Sequence, residues 1–390
     1  MATSIRAGMI AQGSCMGDVR RTVQFVGVLL AAGLLHGVAA NADTTIERSG
    51  SVLIFPKVVF DENRDTLIQI TNTSNSMVTA HCFYVNATPQ CTGQGDCLEG
   101  TCRGQCVPQC LEVNFDLSLT KQQPTSWSAG FGRLTDPMDP VCIIDYRNPE
   151  RSNFDCYGAG LDPGRVPPVS LPFVGELKCI EVDMSGAPIS GNHLKGEATI
   201  VTSDGDASKH NAIAVLGLDS NNGDNTLCLG GGVGDSCPSG AEYNACPEAL
   251  ILNHFSEGAD SPLLGPTSTV ATELTLLPCS QNFETQTPAR VTVQFAVTNE
   301  FEEMFSASTT VECWATFLLD EVNLIFDVSR LGTRVVQTRM RPASGSQSGL
   351  VGVSEEYHTT AARKTTRAAF NLHQEGERGT SDLIVIPEGP

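Results

Sequence analysis

The sequence predicts an all-β protein built as two antiparallel sandwich domains, with a disulfide-stapled insert in the first. Three observations predict it. Many short segments alternate apolar and polar residues with period two, and turn-forming residues separate them. No stretch shows the period of a long amphipathic helix, which argues against alternating strands and helices. Fifteen cysteines lie in a chain of 390 residues, five of them crowded into one short glycine-rich segment.

The first element is an address. Arg20 and Arg21 precede the apolar run from Val23 to Ala40, and small residues end it at Ala40 and Ala42. A basic start, an apolar middle and a small-residue site read as a secretory signal over 1–42, cleaved after Ala40 or Ala42. Retention of the run as a membrane anchor is the alternative; Gly27, Gly33, His36 and Gly37 interrupt it. Cys15 precedes the run, so it is not placed as the lipidated cysteine of a lipoprotein signal. Without it fourteen cysteines remain, an even number suited to seven bridges in an oxidising compartment.

Three strands follow between Ser51 and Asn86. Val52 to Phe55 is an apolar run that stops at Pro56. Thr66 to Thr71 alternates, and so does Val78 to Val85. The insert at 88–111 carries Cys91, Cys97, Cys102, Cys106 and Cys110 with Gly93, Gly95, Gly100 and Gly104 between them. It has too few apolar residues to build a core and must be stapled. Structural zinc usually shows paired C-x2-C spacing with histidine, which is absent here. Five is odd, so at least one of these cysteines must pair outside; Cys82, Cys142 and Cys156 are the candidates. The remaining bridge candidates are Cys179, Cys228, Cys237, Cys246, Cys279 and Cys313.

Val113 to Leu119 is another strand, and Trp127 is a candidate core aromatic. Seven prolines between Asp136 and Pro172 predict a loop. Strands resume at Phe173 to Val182 and Gly196 to Thr202, and a boundary near residue 205 divides a first domain, 43–205, from a second, 206–390. In the second, Ala212 to Leu218, Ala271 to Leu277, Arg290 to Thr298 and Thr309 to Leu319 read as strands. Leu324 to Val328, Thr333 to Met340, Gly349 to Val353, Ala368 to His373 and Leu383 to Ile386 read as shorter ones. Ala249 to Phe255 reads equally as a strand or a helical turn. Ile68 to Phe83 and Val293 to Trp314 resemble each other, each a strand ending in Thr-Asn followed by a strand with a cysteine and an aromatic. They suggest one related hairpin per domain.

Charge restricts function. The net charge is -20, which opposes binding to nucleic acid or anionic lipid, since both need clustered cations. From Arg330 onward the balance turns slightly basic, eight basic against six acidic residues. Catalytic signatures are absent: there is no G-x-S-x-G and no H-E-x-x-H. Gly234-Asp235-Ser236 lacks the glycine of an oxyanion loop, and Gly230 to Gly234 has no following lysine or helix to bind phosphate. His81, His193, His210, His254, His358 and His373 are scattered. One metal signal stands out. Asp219, Asn221 and Asp224 alternate around a glycine turn in the manner of a calcium loop, although the glycine falls one place early and no bidentate glutamate follows. Asp204 and Asp206 form a poorer version. No other cofactor is expected.

The segments SVLIFPKV, ITNTSN with HCFYVN, LTKQQPTSW and LPFVGELKC resemble a group of uncharacterised exported bacterial cysteine-rich proteins with immunoglobulin-like β-sandwich domains. The similarity runs from Ser51 to the end. It implies a secreted, β-rich protein and supplies no activity. Immunoglobulin domains pin two facing sheets with a disulfide beside a tryptophan; Cys82 with Cys179, or Cys279 with Cys313 beside Trp314, would be the counterparts. The sequence is therefore read as a secreted, periplasmic or cell-surface non-enzymatic structural or binding protein, with a protein or glycan ligand or self-association. An extracellular hydrolase with dispersed carboxylates and a calcium-stabilised adhesion module are the alternatives.

Overall fold

The computed structural model describes residues 44–91, 106–136, 139–144, 162–218, 223–231 and 237–387. The predicted signal segment, much of the cysteine-rich insert and most of the expected calcium loop lie outside them. All described residues belong to one compact unit, Ala42–Pro390.

That unit is all-β, as the alternation predicts, but the two immunoglobulin-like sandwiches are not what forms. Five sheets have three or more strands, and they are arranged as a five-bladed β-propeller. The blades are not runs of consecutive strands, as in repeating propellers. Sheet 1 runs in the order Thr44–Thr45, Ile213–Val215, Val52–Phe60, Phe173–Val182, Val78–Asn86, Leu111–Leu119. Sheet 2 runs Ala207–Asn211, Leu194–Thr202, Arg64–Asn72, Pro124–Ser128. Sheet 3 joins Thr226–Leu229, Asp382–Val385 and Gln281–Asn282, the last pair parallel. Sheet 4 runs Met304–Glu312, Arg290–Asn299, Val335–Pro342, Pro247–Phe255, His373–Glu377. Sheet 5 runs Ala315–Leu318, Ser268–Pro278, Leu350–Thr360, Thr365–Asn371.

Each sandwich expectation fails on a particular pairing. Cys82 bonds Cys179, but the two face each other on neighbouring strands of sheet 1, so the bridge pins no second sheet. Cys279 bonds Cys246 and Cys313 bonds Cys110, so Trp314 flanks no immunoglobulin-type pin. Ile213–Val215 lies past residue 205 yet pairs with Val52–Ile54 in sheet 1. The two similar hairpins are not equivalent either. Arg64–Asn72 and Val78–Asn86 enter different sheets, whereas Arg290–Asn299 and Met304–Glu312 pair directly.

Smaller expectations also shift. Pro56 does not end its strand: Val52–Phe60 continues through it. Phe55 pairs with Leu177 and Val58 with Gly175, so Pro56 and Lys57 together oppose Glu176 in a bulge. A bulge absorbs a residue that cannot donate to the ladder. Pro247–Phe255 is a strand, and Leu324–Phe326 is a 3-10 turn followed by a helical turn at Val328–Leu331. Within the proline-rich stretch expected as loop, Leu134–Asp136 pairs with Asp139–Ile144.

Three cores hold the sheets. Leu53, Phe55, Ile68, Ile70, Leu117 and Trp127 bury between sheets 1 and 2, where the Trp127 indole donates to Tyr84 Oη at 2.6 Å. Val52, Ile54, Phe83 and Ile180 on the opposite face of sheet 1 pack with Leu227, Leu277, Phe283 and Ile384 from the second half of the chain. Phe83 and Phe283 stack with centroids 4.0 Å apart. Leu252, Leu274, Val293, Phe295 and Met340 fill the space between sheets 4 and 5. Sheet 1 is thus buried on both faces, which explains why Val52–Phe60 reads as a nearly continuous apolar run and why Phe173–Val182 is buried along nearly its whole length, its charged residues included.

The Cys110–Cys313 bond closes 203 residues of chain and is buried at both ends. Replacing both cysteines with serine should lower unfolding free energy by roughly 2–5 kcal/mol. Urea titration of the double variant beside the wild type measures the difference, and equal midpoints would show that packing alone holds the halves.

Candidate functional surfaces

The bulge at Pro56 decides where Lys57 points. Leu53 and Phe55 face the core between sheets 1 and 2, and period two would place residue 57 there as well. The bulge puts Val58 into that core and turns Lys57 to the other face. There its ammonium, only 2 % exposed, bonds Glu273 and Glu355. These two glutamates are opposite one another on neighbouring strands of sheet 5. Like charges in that position repel, and Lys57 compensates them. Ser208 Oγ also donates to Glu355, and Tyr357 Oη does so at 3.1 Å. Burial alone would raise the Glu355 carboxyl, but the Lys57 charge and these hydrogen bonds outweigh it and bring it down to about 2. Arg367 pairs with Asp206 beside them at 3.1 Å.

A second ion pair is fully enclosed. Lys178 Nζ lies 2.6 Å from Glu176 Oε1 and 3.2 Å from Gln281 Oε1. Burial pushes the Glu176 carboxyl up and the Lys178 amine down, each opposed by its partner. Trp314 Nε1 donates to the Pro56 carbonyl at 2.7 Å on the same side of the sheet.

Among the described residues the histidines do not gather into a metal site. His81 Nδ1 pairs with Asp116 at 2.7 Å and His193 Nδ1 with Glu181 at 2.7 Å. His254 bonds the Phe255 carbonyl through Nδ1 and Thr338 Oγ1 through Nε2, both at 2.8 Å. His358 stands in an arrangement that resembles a hydrolase relay. Its Nδ1 is 2.7 Å from Ser261 Oγ and its Nε2 is 2.6 Å from Glu356 Oε1. Chemistry would require a free hydroxyl. Ser261 is 1 % exposed and its oxygen already accepts from the amides of Leu263 and Leu264, both at 3.2 Å. This serine fastens a loop.

The disulfide candidates divide into three groups. Cys82, Cys179, Cys110, Cys313, Cys228, Cys237, Cys246 and Cys279 form four bonds, which places the protein in an oxidising extracellular or periplasmic setting. Cys110 is an insert cysteine that pairs outside, with Cys313 and not with any of the three expected partners. Cys97, Cys102 and Cys156 lie outside the described residues, and of Cys91, Cys106 and Cys142 only the strand positions are described. Among the calcium candidates, Asp219 and Asn221 lie outside, and Asp224 accepts from the Thr226 amide at 2.8 Å. In the poorer loop Asp204 accepts from Thr202 Oγ1 and Asp206 holds Arg367. Among the described residues no helix is long and apolar enough to cross a membrane.

Two open clefts lie around sheet 4. A cleft of 1080 Å³ is lined by Glu248, Ser280, Gln294, Arg341, Arg378 and Ser381. A second, of 840 Å³, shares Gln294 and Arg341 and reaches Ser306 and Ser308. The arginines here are matched by acids: Arg339 with Glu375, Arg341 with Glu248, Arg378 with Asp382. No bare cationic site results. Ser306 and Ser308 belong to Met304–Glu312, which is terminal in sheet 4. Nothing in its sequence marked this strand as an edge, because strand order is a long-range property.

No protein-family model and no curated protein matches the chain. Among solved structures, the N-terminal CBM22-1-CBM22-2 tandem domain of Paenibacillus barcinonensis Xyn10C aligns over 84 % of this chain and 85 % of its own, at 10 % identity and a TM-score of 0.15. A lectin from Pleurotus ostreatus, in complex with GalNAc, aligns over 83 % and 77 % at 9 % identity and a TM-score of 0.13. Scores this low carry neither fold nor ligand across.

The His210 ring is buried without a partner among the described residues, and burial brings it down from 6.5 to about 4 against the pull of Glu355. Between those values the unfolded chain holds a proton that the folded chain does not, so stability falls as pH drops through the window. His210→Phe should remove up to roughly 1.4 kcal/mol of that loss per pH unit. Urea unfolding at about pH 7 and about pH 5 tests this; equal losses in variant and wild type would refute it.

Proposed function

We propose that this is a secreted or cell-surface, non-enzymatic binding protein that takes up an extended polypeptide segment as an added strand beside Met304–Glu312. The edge itself carries the reading. The strand pairs with its inner neighbour from Thr298–Met304 to Arg290–Glu312, and its outer side has no strand among the described residues. Soluble proteins protect such edges with lysine, proline, bulges or coverage. The sequence MFSASTTVE has no lysine and no proline, and its one charge is at the end.

Four of the other terminal strands carry such protections. Leu111–Leu119 bears Glu112 and Asp116, and its Ser118 amide donates to the Pro163 carbonyl at 2.7 Å. Pro124–Ser128 begins with proline, and His373–Glu377 carries two glutamates and a glycine. Thr365–Asn371 carries Arg367 and is tied through Asn371 to Asn211. Phe301 and Met304 are 72 % and 74 % exposed at the start of the open edge, giving an incoming strand an apolar contact. Ser306, Ser308 and Thr310 offer hydroxyls along its outer face. Backbone pairing supplies affinity in this mode and alternate side chains supply selectivity.

A labelled peptide of sequence RVTVQFAVTN, which the same strand already accepts on its inner side, is the probe. Fluorescence anisotropy should show saturable binding to the wild type and at least about tenfold weaker binding to Ser308→Lys, an exposed edge charge. Absence of saturable binding to the wild type, or equal binding by both, would overturn the reading.

A further inference from the structure

We propose that Lys57 and Glu273 are joined by an intramolecular isopeptide bond, and that Glu355 is the proton carrier that allows it to form. The three residues come from three strands in two sheets and meet where water is nearly excluded. Lys57 is 2 % exposed and Glu355 1 %. Among the described residues the Lys57 amine bonds only the two glutamates.

The two carboxyls are not equivalent. Glu355 is held as a carboxylate by Ser208 Oγ and Tyr357 Oη as well as by Lys57. Hydrogen bonds from so many donors keep Glu355 ionised and make its carbon a poor target for attack, so it is placed to relay protons and not to be acylated. Glu273 has no hydrogen-bonding side-chain partner but Lys57 among the described residues. Its side chain is 19 % exposed, which leaves water a way out. The Lys57 amine is pushed down from its ordinary value, chiefly by burial and against the attraction of Glu355. Burial thus favours the neutral nucleophile that acyl transfer requires.

The reaction balances without any co-reactant. Glu355 takes a proton from the Lys57 ammonium, and the nitrogen lone pair attacks Glu273 Cδ, forming the C–N bond. A second proton leaves the nitrogen through Glu355. Both protons end on one Glu273 oxygen, its bond to Cδ breaks, and it departs as water. Ammonium and carboxylate become a neutral secondary amide, and Glu355 is unchanged. In water the balance favours the separated ions; burial of the pair shifts it toward the amide. A buried ion pair carries a solvation cost that a neutral amide does not. The product would staple sheet 1 to sheet 5 across 216 residues of chain, and unlike the disulfides it would survive reduction.

Mass spectrometry of the full chain decides the matter. After complete reduction and alkylation under denaturing conditions, the wild type should be lighter than its processed sequence by one water molecule. Proteolysis should release a branched peptide joining Lys57 to Glu273. Glu355→Gln and Glu273→Ala should each restore the full mass, and the measurement on the wild type stands alone should either variant fail to fold. A wild type of full mass would overturn the proposal. So would a missing water mapped to another position, or a branch joining Lys57 to Glu355.

Discussion

A lysine with almost no exposed surface lies between two glutamates, and much of the molecule serves to keep it there. Lys57 comes from the first sixth of the chain, Glu273 and Glu355 from far beyond the middle. Two glutamates opposite one another on paired strands would repel, and a buried cation alone would not tolerate its desolvation. Each half of the chain therefore carries a charge that is costly to bury without the other. Removing either side would leave an uncompensated buried charge, which is among the most destabilising changes a fold can suffer.

The surrounding contacts reinforce the same seam. Trp314 reaches back to the Pro56 carbonyl, Phe283 stacks on Phe83, Arg367 holds Asp206, and Cys110 is bonded to Cys313. Glu176 and Lys178 bury a further ion pair against Gln281. Apolar packing is non-directional, so the cores alone would tolerate several ways of stacking five sheets. Charged and hydrogen-bonded groups are directional, and here they select one arrangement. The outer face and edge of sheet 4 contribute none of these contacts.

Strands were legible wherever one face is buried and one exposed. Arg290–Asn299 alternates strictly in burial, and its sequence alternates with it. Export chemistry was also legible, because cysteine count and the absence of zinc spacing depend on composition and local order. The partners of those cysteines were not. Cys82 and Cys179 looked like a pin between facing sheets and proved to be neighbours in one. Pro56 looked like a strand end because it lacks an amide, yet a bulge absorbed it. Ser261, His358 and Glu356 carry no motif at all, since 97 residues separate the first two. Lys57 gave no local signal either: its neighbours are apolar, and the two acids that receive it are remote in sequence.

By itself the sequence determined that the structure is all-β and that its cysteines suit an oxidising compartment. These follow from side-chain period and cysteine number, which act locally or in sum. Tertiary structure alone decided which strands share a sheet, which cysteines bond, where Lys57 points and which edge is left unpaired. Those are outcomes of long-range pairing. A one-residue bulge at Pro56, invisible in the period of the strand, is enough to move a charge from one face of a sheet to the other and so to determine what the halves of the chain can build between them.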